Sequence, residues 1–170
     1  MNEDFTEIKP EGLDRSPFRM IGTEWMLVTA EKEGKVNTMT ASWGGLGVMW
    51  GKNVAFIVLR PQRYTKEFVD NANTFSLTFF ANDFKKELGY LGSVSGRDED
   101  KIKKANLTVL YSDKTPYFQE AKLALFCKKL YAQAYRPECF IEAELSEKWY
   151  PQKDYHTMYI AEVTKILAKD

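Results

Sequence analysis

The chain has 170 residues, 44% of them hydrophobic and 14% aromatic, with 24 basic and 24 acidic side chains and no formal net charge. That length and composition suit one folded domain with its own core and exclude intrinsic disorder. Balanced charge gives no overall attraction to nucleic acid or to an anionic membrane, so any anion site must be local.

No repeat, low-complexity tract or Gly/Ser linker divides the chain, so residues 1–170 read as a single domain with residues 1–19 as an N-terminal arm. Residues 25–30 read as a buried strand, turned by Lys32-Glu33-Gly34-Lys35 into a second strand over 36–42. Gly44, Gly45, Gly47 and Gly51 then predict a flexible or tightly turned connection. Residues 53–59, rich in Val, Ile and Phe, read as a third strand, stopped by Pro61, and 62–71 as a short helix. Over 74–80, Phe75, Leu77 and Phe79 alternate with Thr74, Ser76 and Thr78, the pattern of a strand with two different faces.

Residues 84–91 and 98–105 read as two further helices separated by Ser93-Val94-Ser95-Gly96. A long strand over 123–135 slips its apolar phase around Lys128-Lys129, as a β-bulge would make it do. Residues 137–150 are ambiguous, with a helix and turn as the one reading they suggest, and 156–167 read as the closing strand. The pattern is mainly β with short peripheral helices, and a closed barrel of about six strands would remove exposed edges.

Cys127 and Cys139 are too few for a disulfide framework and wrongly spaced for a zinc site or a CxxC redox pair. The expectation is a metal-free cytoplasmic protein with reduced thiols. The N-terminal residues lack a signal-peptide core, and no apolar run approaches the ~20 residues that span a bilayer.

Two segments suit anions. Arg60-Pro61-Gln62-Arg63-Tyr64-Thr65 lies between a strand and a helix. Pro61 fits a first helical turn, whose free N–H groups and dipole favour negative charge, while the arginines add forked donors and Tyr64 and Thr65 add hydroxyls. A solvated helix start with surface arginines fits the same residues equally well. In Ser93-Val94-Ser95-Gly96-Arg97-Asp98-Glu99-Asp100-Lys101, Asp98 can cap a helix, while Lys101 in the first turn opposes the dipole and so faces an anion or a carboxylate. An Asp98–Lys101 pair on a solvated face is the alternative.

A third segment, Asn37-Thr38-Met39-Thr40-Ala41-Ser42-Trp43-Gly44-Gly45, lets backbone N–H groups and a ring face approach a planar ligand. A plain strand with Thr and Ser on its outer side would look the same. His156 is the sole histidine, without an evident carboxylate partner, and no nucleophile elbow, HExxH, Walker loop or GxGxxG is present.

In this order, Met39-Thr40-Ala41-Ser42-Trp43, Arg60-Pro61-Gln62-Arg63-Tyr64-Thr65, Ser95-Gly96-Arg97-Asp98 with Asp100-Lys101, and His156 opening the strand through Tyr159-Ile160-Ala161-Glu162-Val163 resemble the flavin reductase-like, FMN-binding split-barrel family, especially its flavoredoxin-like branch. The likeness runs from about Ser16 to the C-terminus. It implies a six-stranded antiparallel split barrel that forms a homodimer and binds FMN near the subunit interface. It also implies that Arg60, Arg63, Tyr64 and Thr65 hold the phosphate, and that Ser95, Gly96 and Lys101 contact phosphate or ribityl chain. Met39, Thr40, Ala41, Ser42 and Trp43 would present backbone to the isoalloxazine edge, and His156 would shape the substrate side of the pocket. Met49-Trp50-Gly51-Lys52 stands where reductases serving two-component oxygenases commonly carry a proline pair, which weakens NAD(P)H as the donor.

The functions that follow are an NAD(P)H-dependent flavin oxidoreductase, an FMN electron carrier that serves a protein partner, and a non-catalytic flavin or heme binder. The lone histidine disfavours heme.

Overall fold

The computed structural model describes residues 4–169. Its strands are β1 (Thr6–Ile8), β2 (Met26–Lys32), β3 (Lys35–Ala41), β4 (Gly44–Met49), β5 (Lys52–Leu59), β6 (Thr74–Phe79), β7 (Val109–Ser112), β8 (Thr115–Phe118), β9 (Leu123–Ala134) and β10 (Thr157–Ala168). The helices are α1 (Pro17–Arg19), which runs into a π turn over Met20–Glu24, then α2 (Tyr64–Asn71), α3 (Lys85–Ser93), α4 (Lys101–Lys104) and α5 (Ala143–Trp149). Seven strands pair antiparallel in the order β3-β2-β6-β9-β10-β5-β4, with β1 added against β10; β7 and β8 form a separate hairpin.

The two ends of that path, β3 and β4, are joined only by Ser42 and Trp43. A link of that length reaches about 11 Å at most, so the sheet has to roll until its edges meet at one corner. The edges meet without pairing along the path. The result is a split barrel, and the seam leaves one edge of β3 unpaired by the sheet.

All six strands expected from the sequence are present, as β2, β3, β5, β6, β9 and β10. The count rises because other segments also pair. The glycine-rich stretch read as a connection is β4, in register with β5 through Gly44↔Ile57 and Gly45↔Phe56. Glycine is needed there for close approach: a Cβ on Gly45 would stand 2.4 Å from the Phe56 ring. Part of the N-terminal arm also joins the sheet, as β1; residues 1–3 lie outside the described residues.

Local chemistry sets the turns. Glu33-Gly34, Trp50-Gly51 and Asp113-Lys114 each carry positive φ at both positions and close the β2–β3, β4–β5 and β7–β8 hairpins. Two successive left-handed residues match the twist of the strands they join. The slip expected near Lys128-Lys129 falls at Leu130: Ile160 pairs with Tyr131 and Ala161 with Lys129, leaving Leu130 as the extra residue.

Two helix starts differ from expectation. Pro61 precedes α2 rather than opening it, because the Arg63 N–H donates to the Arg60 carbonyl (3.1 Å) and puts Pro61 second in a β-turn, where its fixed φ fits. Asp100, not Asp98, caps α4, accepting from the Lys103 N–H at 3.1 Å. The ambiguous segment contains one 3₁₀ turn (Pro137–Cys139) and α5.

The inner face of β6 supplies Phe75, Leu77 and Phe79 to the main core, where Val28 and Leu125 flank Leu77 on the neighbouring strands and Met26 and Ile57 join the same cluster. Its outer face lies beneath the β7–β8 hairpin, where the Ser76 hydroxyl donates to the Pro116 carbonyl at 2.6 Å. Phe75 is fully buried. Phe75→Ala should therefore lower unfolding free energy by about 3–5 kcal/mol in urea titration, the usual loss for emptying a phenyl site; a loss under ~1 kcal/mol would mean the core is not packed as described.

Candidate functional site

Beside the seam, the C-terminal half of β3, the end of β5, helix α3 and the residues just before β10 enclose a cleft of 490 Å³. Met39, Thr40, Ala41, Ser42 and Trp43 form one wall, and Arg60, Arg63 and His156 another. A smaller cavity of 190 Å³ adjoins it at Met39, Arg63 and Ser93, and is completed by Tyr64, Thr65, Ser95, Gly96 and Lys101. Segments distant in sequence thus converge on two adjoining spaces, and every sequence-predicted site residue lines one or both.

The smaller cavity is cationic. Lys101 is only 3% exposed, and its ammonium donates to the Leu91 and Val94 carbonyls, each at 2.8 Å. The Arg63 guanidinium is half-buried and donates to the Gly92 carbonyl at 2.9 Å. Burial, and then the neighbouring Arg63 charge, pull the Lys101 pKa down to about 8, while burial lowers that of Arg63. Among the described residues neither cation has a carboxylate partner. Lys101 faces neither of the carboxylates nearest in sequence but the spent end of α3, whose last carbonyls lack helical N–H partners.

Hydrogen-bond donors complete it. No side chain caps α2, so the Tyr64 and Thr65 N–H groups of its first turn are free of helical partners. The buried Thr65 hydroxyl accepts from Asn37 Nδ2 at 2.9 Å, which leaves its own hydrogen available. Ser95 Oγ accepts from the Arg97 N–H at 3.2 Å and is left in the same condition. Gly96 admits the Asn37 carboxamide, whose Oδ1 would lie 2.2 Å from an added Cβ.

Arg60 is placed differently from the sequence expectation. It lines the larger cleft alone, with Nη1 donating to Asp154 Oδ2 at 2.7 Å and Nη2 to the Trp149 carbonyl at 2.9 Å. The Thr40 hydroxyl is likewise engaged, donating to the Leu88 carbonyl at 2.6 Å and pinning α3 to β3. Trp43 meets Trp149 edge-on with ring centroids 4.9 Å apart and lies 5.2 Å from the His156 ring. His156 does have a partner: its Nδ1 is 2.7 Å from the Tyr150 hydroxyl.

Residues 18–170 match the family model described as flavin reductase like domain. The chain belongs to that family. Its fold is similar to that of an FMN-binding domain of a flavin reductases-like enzyme from Shewanella baltica, at 18% identity and a TM-score of 0.70, covering 97% of this chain and 77% of that one. Similar too are a flavoredoxin of Desulfovibrio vulgaris (20% identity, TM-score 0.68, 96% and 78% covered) and the styrene monooxygenase flavin reductase of Pseudomonas putida (16%, 0.62, 85% and 78%). Among curated proteins no sequence matches.

Sequence reading of this flavin reductase-like chain missed Trp149 and the α3 face bearing Gly89 and Gly92. Gly89 and Gly92, three apart in a helix, were a usable signal, since glycine is unfavourable in a helix interior unless something must come close. Trp149 had none. Among the described residues no cluster of His, Cys, Asp and Glu could hold a metal, and no helix is long and apolar enough to cross a membrane.

Burial, then the Arg60 charge, hold the His156 pKa down at about 4 against an ordinary 6.5, with Asp154 opposing. The unfolded chain therefore takes up a proton between these values that the folded chain refuses. Stability from this group is complete above pH 6.5 and falls as pH drops towards about 4. The stability gap between wild type and His156→Asn should narrow between pH 7.5 and pH 4.5 in paired urea titrations. A gap independent of pH would contradict the depressed value.

Proposed function

We propose that this protein binds FMN, with the phosphate in the smaller cavity and the ring system in the larger cleft, and acts as an oxidoreductase through it. The observation that carries this reading is the pair Arg63 and Lys101, close together with no carboxylate between them. Burying like charges without a counter-charge is unfavourable, and a dianionic phosphate would offset it. The free first-turn N–H groups of α2 and the Thr65 and Ser95 hydroxyls suit the same anion. The names of the relatives from Shewanella baltica and Desulfovibrio vulgaris, FMN-binding domain and flavoredoxin, agree with it.

The larger cleft suits a planar ring. At the seam, β3 is bordered by β2 alone, so its other edge has backbone N–H and C=O groups to offer the polar rim of an isoalloxazine. Met39, Val58 and Leu88 supply apolar walls. Bound there, the flavin supplies acceptance and release of hydride; the chain's part is to align rings and exclude water. His156, neutral near pH 7 and hydrogen-bonded to Tyr150, fits a shaping role on the substrate side better than proton transfer.

A reduced nicotinamide stacking on the flavin is the donor we favour. Exchange with a protein partner is the second reading, supported by the exposed apolar tip Val48, Met49 and Trp50. The functional unit we propose is a homodimer, for which the exposed Phe18 (91%) and Ile141 (101%) provide apolar surface.

FMN should bind at least tenfold more tightly than riboflavin, because charge-assisted hydrogen bonds contribute roughly 1.5–3 kcal/mol each. Arg63→Ala should remove most of that preference while leaving riboflavin affinity nearly unchanged. Equal affinities in the wild type would end the phosphate assignment. Stopped-flow mixing of the FMN complex with NADH and NADPH separates the two donors: prompt bleaching supports the nicotinamide reading, and its absence the protein partner.

A further inference from the structure

The connection between β9 and β10 is long and makes almost no core. From Arg136 to Tyr155, Tyr150 is the only buried residue, and α5 buries none. Ring contacts among Phe140, Tyr150 and Tyr155, with Tyr135 just after β9, pack the inner part of this segment. Polar contacts from one turn hold its Trp149–Asp154 stretch. Arg60 donates to Asp154 (2.7 Å) and to the Trp149 carbonyl (2.9 Å), and Gln62 Nε2 donates to the same Asp154 oxygen at 2.9 Å. The Arg60 guanidinium also lies over the Tyr150 ring, 4.9 Å from its centroid.

What this clamp delivers to the cleft is one side chain. Trp149 lines the cleft wall, edge-on to Trp43, and keeps 42% of its surface exposed. An indole whose backbone carbonyl is held in this way, at the mouth of a ring-sized space, is placed to cover a planar occupant. Such contact is worth more when the indole is already fixed, since less side-chain freedom is lost on binding.

We propose that Trp149 caps the flavin ring and that Arg60 is its positioning residue, acting through Asp154 and the Trp149 carbonyl rather than as a phosphate ligand. This rests on the FMN reading above. Arg60 and Arg63 stand at the two ends of one β-turn and serve different ends of the ligand. Arg63 reads the phosphate. Arg60 latches the cover over the ring.

The two roles separate on a pair of ligands. Flavin affinity and dissociation rate are measured by fluorescence with FMN and with riboflavin. Arg60→Ala and Trp149→Ala should each speed dissociation about tenfold for both flavins alike and raise flavin fluorescence, since the quenching indole is lost. Trp149→Phe should recover most of the affinity, and the Arg60→Ala/Trp149→Ala double variant should be no weaker than Trp149→Ala alone. Arg63→Ala, in contrast, should weaken FMN selectively.

Selective loss of FMN in Arg60→Ala would overturn the latch and return Arg60 to the phosphate. Unchanged dissociation in Trp149→Ala would remove the cap. If wild type bound neither flavin, the FMN reading itself would fall. Hydrogen exchange of the ligand-free protein checks the latch separately: Arg60→Ala should accelerate exchange across residues 143–155 with the barrel strands unaffected, and unchanged exchange there would overturn it.

Discussion

Two cations gathered at the end of one helix organise this site. Helix α3 finishes with carbonyls that have no N–H partners of their own, and the Leu91, Gly92 and Val94 oxygens receive Lys101 and Arg63. Those hydrogen bonds draw α4 and the start of α2 against α3. They satisfy the donors without neutralising the charge. A backbone carbonyl is a dipole, and two positive charges beside each other, Lys101 buried and Arg63 half-buried, still require an anion or a lowered affinity for protons. The pKa of Lys101, lowered first by burial and then by the Arg63 charge, is the second of these outcomes in the ligand-free chain.

The rolled sheet decides where that charge lies. Because β3 and β4 are the ends of the strand order and yet neighbours in sequence, the seam has to open beside Ser42 and Trp43. The unpaired edge of β3, the turn leaving β5 and the residues entering β10 all arrive at that corner. Thr40 and Asn37 on β3 then fix the surroundings, one by binding the Leu88 carbonyl of α3, the other by binding Thr65 at the start of α2. Barrel closure and site assembly are one event in this topology.

How much of this was legible in sequence differs by element. The core strands showed because alternation and β-branched runs are local signals; Phe75, Leu77 and Phe79 announce β6 unaided. The extra strand β4 did not, since Gly44, Gly45 and Gly47 look like a loop until the Phe56 ring is seen to need the space at Gly45 and the Phe56 carbonyl that at Gly44. The candidate site loops were proposed from residue types suited to anions and rings, and from family likeness. Their partners were not. Asp154 lies 94 residues from Arg60, and the Leu91 carbonyl reaches Lys101 only once α3 and α4 are packed. Sequence reports which groups are charged; packing reports what each charge is facing. Trp149 was invisible because α5 carries no buried stripe to mark it as an element with a task.

The central claim is that the Arg63–Lys101 cavity holds a phosphate as its dianion. Phosphorus NMR of the FMN complex between pH 8 and pH 5 tests this without any assumption about turnover. A free phosphate monoester takes up its second proton near pH ~6. Two adjacent cations should keep the bound group ionised, so its resonance should stay constant down to at least pH 5.5 while that of free FMN moves. A bound resonance that shifts with a midpoint near that of free FMN would contradict the assignment, because a phosphate indifferent to both cations cannot be the one they hold.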